Sequence, residues 1–542
     1  MSRADRIAFI GDRQSDVHLL IADAGVKAVN LGRLDRLGLP VPPALVLDSA
    51  LSQEYLARGE LPGGFAARLA VALRQLEDAT GLHLGGPRPL VLSVRSSPVV
   101  TMPGMLGTLL NVGLTEDGAH HLIRRTGNPW LAWDSYRRLA RAFGEAVHHV
   151  DSRVFDRLTA AHLASARART LQDLDPMEMR ELARESADAL RTTGAHPLPE
   201  DPIEQVVRAV EAVLASWNSP HAREYRRICG IDERAGTAII VQAMVFGNGG
   251  AGSGAGVGFT RNPATGDNEL YFDFLFNAQG EDIVSGREPV RDSALLPRVL
   301  PEAWAELERA RPLLEREFGD MQDFEFTVEN GRLFFLQTRD GKRTPWAAVR
   351  IAVDLVRSGI VDPSTALQRL AAYDLNAIVR RSVRAASGGG PIAHAIAAGP
   401  GVATGGVTFD VARAQQLAAS RPVVLVRPDI AAGDLAGIAA AAGVLTASGG
   451  RTSHAAVVAR QLGKVCVVGC TDLHVDREAR VCTLGARVLH EGDVITIDGG
   501  SGLIYAGGAE VVVERPDDAL AIVDSWRHQK PGAAMGGGVA SR

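Results

Sequence analysis

Hydrophobic spacing changes character several times along this chain, so no single two-layer core can satisfy all of it. Up to about residue 110, short apolar runs such as PALVLD (43–48) and PLVLSVRSS (89–97) stand between Gly/Pro turns and read as strands. From 111 to 225 the period becomes helical. LAWDSYRRLARAFGEAVHHV (131–150) sets Leu131, Tyr136, Leu139, Phe143 and Val147 at helix-like spacings, and MEMRELARESADALR (177–191) and IEQVVRAVEAVLASW (203–217) behave alike. Residues 226–344 mix the two without a βαβ rhythm. TAIIVQAMVFG (237–247) and ELYFDFLF (269–276) predict strands, 302–318 a helix, and FEFTVENGRLFFLQTR (324–339) a hairpin turning at Asn330-Gly331. Residues 345–387 read as a helical connection, and SGGGP (387–391) marks a boundary. From 388 to 510, strands such as PVVLVR (422–427) and DVITIDG (493–499) alternate with small-residue helices, the pattern of a compact α/β domain. The Gly/Ala-rich end, 511–542, is expected to be a disordered tail. With 542 residues, the expectation is a multidomain α+β protein.

Charge and composition exclude several functions. Lys and Arg total 58 against 63 Asp and Glu, a net charge of −5, which argues against a nucleic-acid binder. Aromatics are only 5%, too few for a base-stacking platform. No charge-free run of about 18 apolar residues occurs, so no membrane span is predicted. The N-terminus carries charges where a signal peptide would be apolar, which makes the cytoplasm the expected location. Four cysteines do not make a disulfide framework, and Cys466 and Cys470 lack a second pair at zinc spacing. All four are read as reduced, mostly buried thiols.

GGRTSHAAVVARQLGK (449–464) carries the strongest chemical signal. A glycine turn follows a strand, Thr452 and Ser453 are natural N-cap residues, AAVVARQL is short and helical, and Gly463 suits the C′ position. His454 then falls in the first helical turn, beside unpaired N–H groups and the positive end of the dipole, a place that favours phosphate. Thr452, Ser453, Arg451 and Arg460 offer further contacts. A neutral imidazole there is a nucleophile toward phosphorus. The same spacing also suits a histidine that merely caps a helix.

Three other segments suggest anion binding. Arg95 closes a strand beside Ser96, Ser97 and Thr101, fit for an anionic ligand or for an ordinary loop. The run GNGGAGSGAGVGFTRNPATGD (247–267) has glycine enough for backbone N–H groups to approach a polyphosphate; a flexible linker is the alternative. Asp323 and Glu325 share one strand face, and Gln337 and Arg339 share the partner's. That set suits Mg²⁺ and phosphate, or a solvated cross-strand ion pair.

A resemblance joins these segments. ASGGRTSHAAVVARQLGKVCVVGC (447–470) resembles the phosphohistidine signature of the pyruvate, phosphate dikinase family, and EGDVITIDGGSGLIY (491–505) resembles the end of that family's swivelling domain. Segments 24–43, 92–115, 244–286 and 321–339 resemble further family blocks in the family's order. The resemblance implies an ATP-grasp nucleotide-binding region plus an α/β swivelling phosphohistidine domain, with an N-terminal grasp subdomain at 1–110, a helical subdomain at 111–225 and a second grasp subdomain at 226–344. It implies His454 as phosphocarrier supported by Arg451, Thr452 and Ser453. It assigns ATP binding to Lys27, Arg95, Arg261, Asp273, Glu281, Asp323, Gln337 and Arg339, and Mg²⁺ to Glu325, Gln337 and Asp323. Val26 and Ala28 depart from the family pattern, which has glycine at both positions.

The implied reaction uses ATP and inorganic phosphate, phosphorylates His454, and gives AMP and pyrophosphate. Transfer to pyruvate is then expected on a separate barrel protein that binds pyruvate and phosphoenolpyruvate, because only about 35 residues follow Tyr505. Two other readings stay open: transfer to a different small-molecule acceptor, and a non-catalytic ATP-binding regulatory protein.

Overall fold

A computed structural model describes residues 6–11, 19–100, 102, 105–285, 293–384, 390–430, 434–450 and 454–528. The chain divides into two compact units. One holds residues up to Ser253 together with Thr327–Arg339, and the other holds Gly254–Phe326 and the chain from Asp340 on.

The first unit is built on strands β1 (Ile7–Ile10), β2 (Ala44–Leu47), β3 (Leu92–Pro98), β4 (Thr108–Val112) and β5 (Thr237–Ala243). They form one antiparallel sheet in the order β1-β2-β5-β3-β4. β5 is buried along its whole length, as its β-branched sequence TAIIVQA requires. Helix α1 (Ile21–Arg36) packs on β3 and β5; α2 (Ser49–Arg58) and α3 (Phe65–Thr80) lie over β5 and β2. A helical layer follows: α4 (Glu116–Thr126), α5 (Pro129–Val147), α6 (Ser152–Ala166), α7 (Pro176–Thr192), α8 (Pro202–Ser216) and α9 (Pro220–Cys229). Local sequence explains where these helices start. Pro129, Pro176, Pro202 and Pro220 each occupy a first helical turn, and Asn128, Asp175, Asp201 and Ser219 cap the N–H groups. Leu131, Leu139 and Phe143 of α5 meet Met179, Leu182 and Leu190 of α7 in one core that continues into the sheet.

The second unit opens with β6 (Gly254–Phe259) and β7 (Tyr271–Phe276), paired antiparallel. Residues 254–259 of the glycine run expected as a loop are therefore strand. Gly254, Gly256 and Gly258 alternate along β6, and a Cβ on them would come within 2.3 Å of Phe274, 2.2 Å of Phe326 and 2.7 Å of Phe324. These glycines make room for aromatic rings that pack straight onto the backbone. Helices α10 (Gly280–Ser285), α11 (Leu296–Val299) and α12 (Pro301–Phe318) follow; β8 (Gln322–Glu329) belongs to this unit as far as Phe326, and β9 (Arg332–Asp340) belongs to the first unit as far as Arg339. β8 turns into β9 through Asn330 (φ 49°) and Gly331 (φ 81°), the left-handed pair of a tight hairpin turn.

After α13 (Pro345–Arg357), α14 (Pro363–Leu370) and β10 (Arg380–Val383), the chain builds an eight-stranded sheet. Its strands are β11 (Ala393–His394), β12 (Ile396–Gly399), β13 (Val402–Thr408), β14 (Val423–Arg427), β15 (Gly443–Thr446), β16 (Val465–Val468), β20 (Val494–Asp498) and β21 (Leu503–Ala506), in the order β11-β21-β20-β13-β14-β15-β16-β12. β13 through β16 run parallel, with α15 (Val411–Ala418), α16 (Leu435–Ala440) and α17 (His454–Gln461) as crossovers. Alternation along β14 divides the core. Val423 and Leu425 meet the helices, whereas Val424 and Val426 meet a three-stranded meander, β17 (Leu473–Asp476), β18 (Val481–Leu484) and β19 (Arg487–His490).

The end of the chain corrects the expectation of a disordered tail from 511. Residues Val511–Glu514 form β22, paired with β10, and Asp517–His528 form α18. Leu520, Val523 and Trp526 recur at three-residue spacing and bury against Val349, Val353 and Leu370 of α13 and α14. Residues 529–542 lie outside the described residues. Among the described residues, no helix is long and apolar enough to cross a membrane.

Candidate functional site

Within the first unit, Lys27, Arg95, Gln337 and Arg339 come from α1, β3 and β9. The entry to α1 is bent at Gly25 (φ 72°, ψ 167°), where a Cβ would lie 1.8 Å from the Ser97 carbonyl oxygen. Only glycine fits there. The close approach lets the Ser97 hydroxyl donate to the Ala24 carbonyl (2.8 Å) and accept from the Ala28 N–H (3.1 Å). Lys27 is thereby held against the strand that carries Arg95. Val26 and Ala28 flank Lys27, and the close approach to β3 is made by Gly25. Arg95 Nη2 donates to Gln337 Oε1 at 3.2 Å, and Asn30 Nδ2 ties α1 to the Thr338 carbonyl at 2.9 Å, between Gln337 and Arg339.

The turn that follows β5 is pinned at several points. Its entry is held by Phe246 N–H donating to Glu329 Oε1 (3.3 Å), with the Arg125 guanidinium 5.9 Å above the Phe246 ring. Its exit is held by Gly331 N–H to the Gly252 carbonyl (2.7 Å) and Asn330 N–H to Ser253 Oγ (3.0 Å). Asn248 Nδ2 donates to Asp134 of α5 at 3.3 Å. Burial pushes the Glu329 carboxyl above its ordinary range, against the opposing pull of its bond to Phe246 and the charge of Arg125. Sequence reasoning missed Asp134, Asn248 and Glu329. The signal available was an acid amid the apolar positions of an amphipathic helix, with arginines three and four residues on.

In the second unit, Asp273 of β7 is buried opposite Val257 of β6, Asp323 is buried on β8, and Glu325 is partly buried two residues further. Glu281 stands exposed in the first turn of α10. Arg460 of α17 is desolvated, which lowers its basicity, while the charges of Tyr271, Cys466, Asp323 and Asp273 act in the opposite direction. The Tyr271 hydroxyl donates to the Ala397 carbonyl of β12 at 3.2 Å.

Arg261, expected to bind ATP, is paired with carboxylates. Its guanidinium is 2% exposed and makes a bidentate pair with Glu315 of α12 (2.9 Å twice) and a third contact with Asp354 of α13 (3.1 Å). Nε, Nη1 and Nη2 all face carboxylates, so the side chain joins two helices to the end of β6.

His454 is the first residue of α17, following the loop that leaves β15, and Gly463 (φ 64°) closes that helix with its N–H on the Arg460 carbonyl. Arg451, Thr452 and Ser453 lie outside the described residues.

The same stretches match known families. Residues 49–296 match the family model of the pyruvate phosphate dikinase AMP/ATP-binding domain, and residues 419–502 match that of the PEP-utilising enzyme mobile domain. A pyruvate, phosphate dikinase of Rhizobium meliloti (strain 1021) is 40% identical over 508 residues, covering 91% of this chain and 56% of that protein. The chloroplastic pyruvate, phosphate dikinase of Flaveria pringlei is 39% identical (93% and 53% covered), and a pyruvate, phosphate dikinase of Rickettsia conorii is 38% identical (96% and 60% covered). The chain belongs to the pyruvate, phosphate dikinase family. It spans between half and two thirds of the length of these relatives.

The family's mobile-domain match takes in β15, α17 and β16, and so contains His454. Its AMP/ATP-binding match takes in Arg95, the pinned turn, Arg261, Asp273 and Glu281. Among the described residues, no group of three or more His, Cys, Asp or Glu side chains is placed to hold a metal ion.

Proposed function

We propose that this chain phosphorylates its own His454 from ATP, through an ATP-grasp nucleotide site. Lys27, Arg95 and Arg339 face the polyphosphate, the pinned glycine turn lies over it, and Arg261, Asp273 and Glu281 take part in nucleotide binding. Asp323, Glu325 and Gln337 would hold Mg²⁺, which when bound neutralises phosphate charge. The imidazole of His454 attacks the β-phosphorus of ATP, and AMP leaves with the α-phosphate. Inorganic phosphate then attacks the terminal phosphorus, leaving phospho-His454 and pyrophosphate. Arg451, Thr452 and Ser453 are assigned to support the phosphoryl group.

The observation that carries this reading is a histidine at the first position of a helix, after a parallel strand, inside the segment matched to the mobile domain. Ligands in such sheets bind beyond the carboxyl ends of the strands. Onward transfer to pyruvate, the reaction for which the relatives are named, is assigned to a separate barrel protein that binds pyruvate and phosphoenolpyruvate. The test of the first half is AMP release from Mg·ATP and phosphate, one equivalent per chain. Wild type should give it and His454→Ala should not; equal release from both would overturn the proposal.

A further inference from the structure

The buried carboxylate of Asp134 joins two features that the sequence leaves separate. It sits on α5 with 0% exposure. Arg137 Nε and Nη2 donate to its Oδ1 (3.1 and 2.7 Å), Arg138 Nε donates to its Oδ2 (2.7 Å), and Asn248 Nδ2 from the glycine turn donates to the same Oδ2 (3.3 Å). Burial alone would raise the Asp134 pKa. The charges and hydrogen bonds of Arg138 and Arg137 outweigh it and hold the carboxyl below its ordinary range, so it is ionised. Asn248 is itself 1% exposed, whereas the next residues of the turn, Gly249 to Gly252, reach partial or full exposure. The turn thus has a fixed root and an accessible crest.

We propose that Asp134 is a positioning residue that sets the glycine turn and the Arg137–Arg138 pair in one register. A charged acceptor with four donors on it has a steep energy minimum, so the crest inherits the placement of α5 rather than fluctuating about its ends. The consequence for nucleotide binding rests on the reading that the turn lies over the polyphosphate. The anchoring itself does not.

The experiment uses the full chain in four forms: wild type, Asp134→Asn, Asn248→Ala and the double variant. Without nucleotide, hydrogen exchange of amides 247–252 should rise on the order of tenfold in either single variant and no further in the double. The ATP concentration for half-maximal AMP formation should rise by a similar factor, with the maximal rate changed less than about threefold. If Asp134→Asn fails to fold because its arginines lose their counter-charge, Asn248→Ala keeps those ion pairs and decides alone. Unchanged turn exchange in a folded variant, or singly additive effects in the double, overturns the proposal. So does faster exchange with no shift in ATP saturation. Absence of AMP formation in wild type would instead sink the proposed function, and the exchange data would still decide the anchor.

Discussion

Gly25 shows how much one missing methyl carries. Replacing it with alanine puts a Cβ 1.8 Å from a backbone oxygen at a positive φ, so Gly25→Ala should cost at least about 2 kcal/mol in urea unfolding. Unchanged stability would mean that α1 and β3 do not meet this closely. Arg261 tests a buried ion pair. Neutralising the doubly bonded partner leaves the buried guanidinium only the half-exposed Asp354, so Glu315→Gln should lose about 3 kcal/mol by the same measurement. The ion pairs of Arg261 were not legible for a plain reason: a sequence shows that an arginine follows a strand, but not that acids from helices 54 and 93 residues away converge on it. Thiol chemistry adds a third check. Burial pushes Cys466 up to about 12 and Cys470 and Cys482 up to about 11, whereas Cys229 is exposed. Iodoacetamide at pH 8 should therefore modify Cys229 alone in the native protein, as read by peptide mass spectrometry. Linkage at Glu329 has a definite sign. Its raised pKa contributes stability at pH values below the ordinary carboxylate range, and that contribution is lost as pH rises through the raised value. Glu329→Gln should therefore compare more favourably with wild type at pH 8 than at pH 5.

Elements were legible where local chemistry dictates them and opaque where a pattern has two meanings. Asn330-Gly331 specifies its hairpin because two left-handed residues suit few other turns. Pro and a capping residue likewise mark the starts of α5, α7, α8 and α9. The glycines of β6 were misread because spacing of two means strand only if one asks what packs on the bare face, and Phe274, Phe324 and Phe326 are distant in sequence. Helix α18 was hidden by the Gly/Ala-rich stretch that follows it, since only Leu520, Val523 and Trp526 declare its buried face. Trp526→Ala should cost about 3 kcal/mol and loosen α13 and α14. A melting temperature unchanged by that substitution would mean that the helix is dispensable to the second unit.

At the level of the whole chain, the expectation of a mixed helix-and-sheet, multidomain protein holds, and the family is the one that the motifs resemble. Arg95, Gln337 and Arg339 were nominated from strand position and residue type, and Lys27 from the resemblance alone; the first of these lies on β3, the next two on β9 and the last on α1. Asp134 and Asn248 were not nominated, because their link spans 114 residues and exists only once α5 is packed. The structure contributes the packing that holds the nominated groups. The most direct measurement is the fate of isotope from ATP labelled at either the β- or the γ-phosphorus, in the presence of Mg²⁺. With inorganic phosphate present, β-label should remain on the protein as an acid-labile, base-stable adduct, and γ-label should leave in pyrophosphate. Without phosphate both labels should stay, and His454→Ala should retain neither. Label retained by the His454→Ala chain, or γ-label held in the presence of phosphate, would contradict a phosphocarrier at the head of α17.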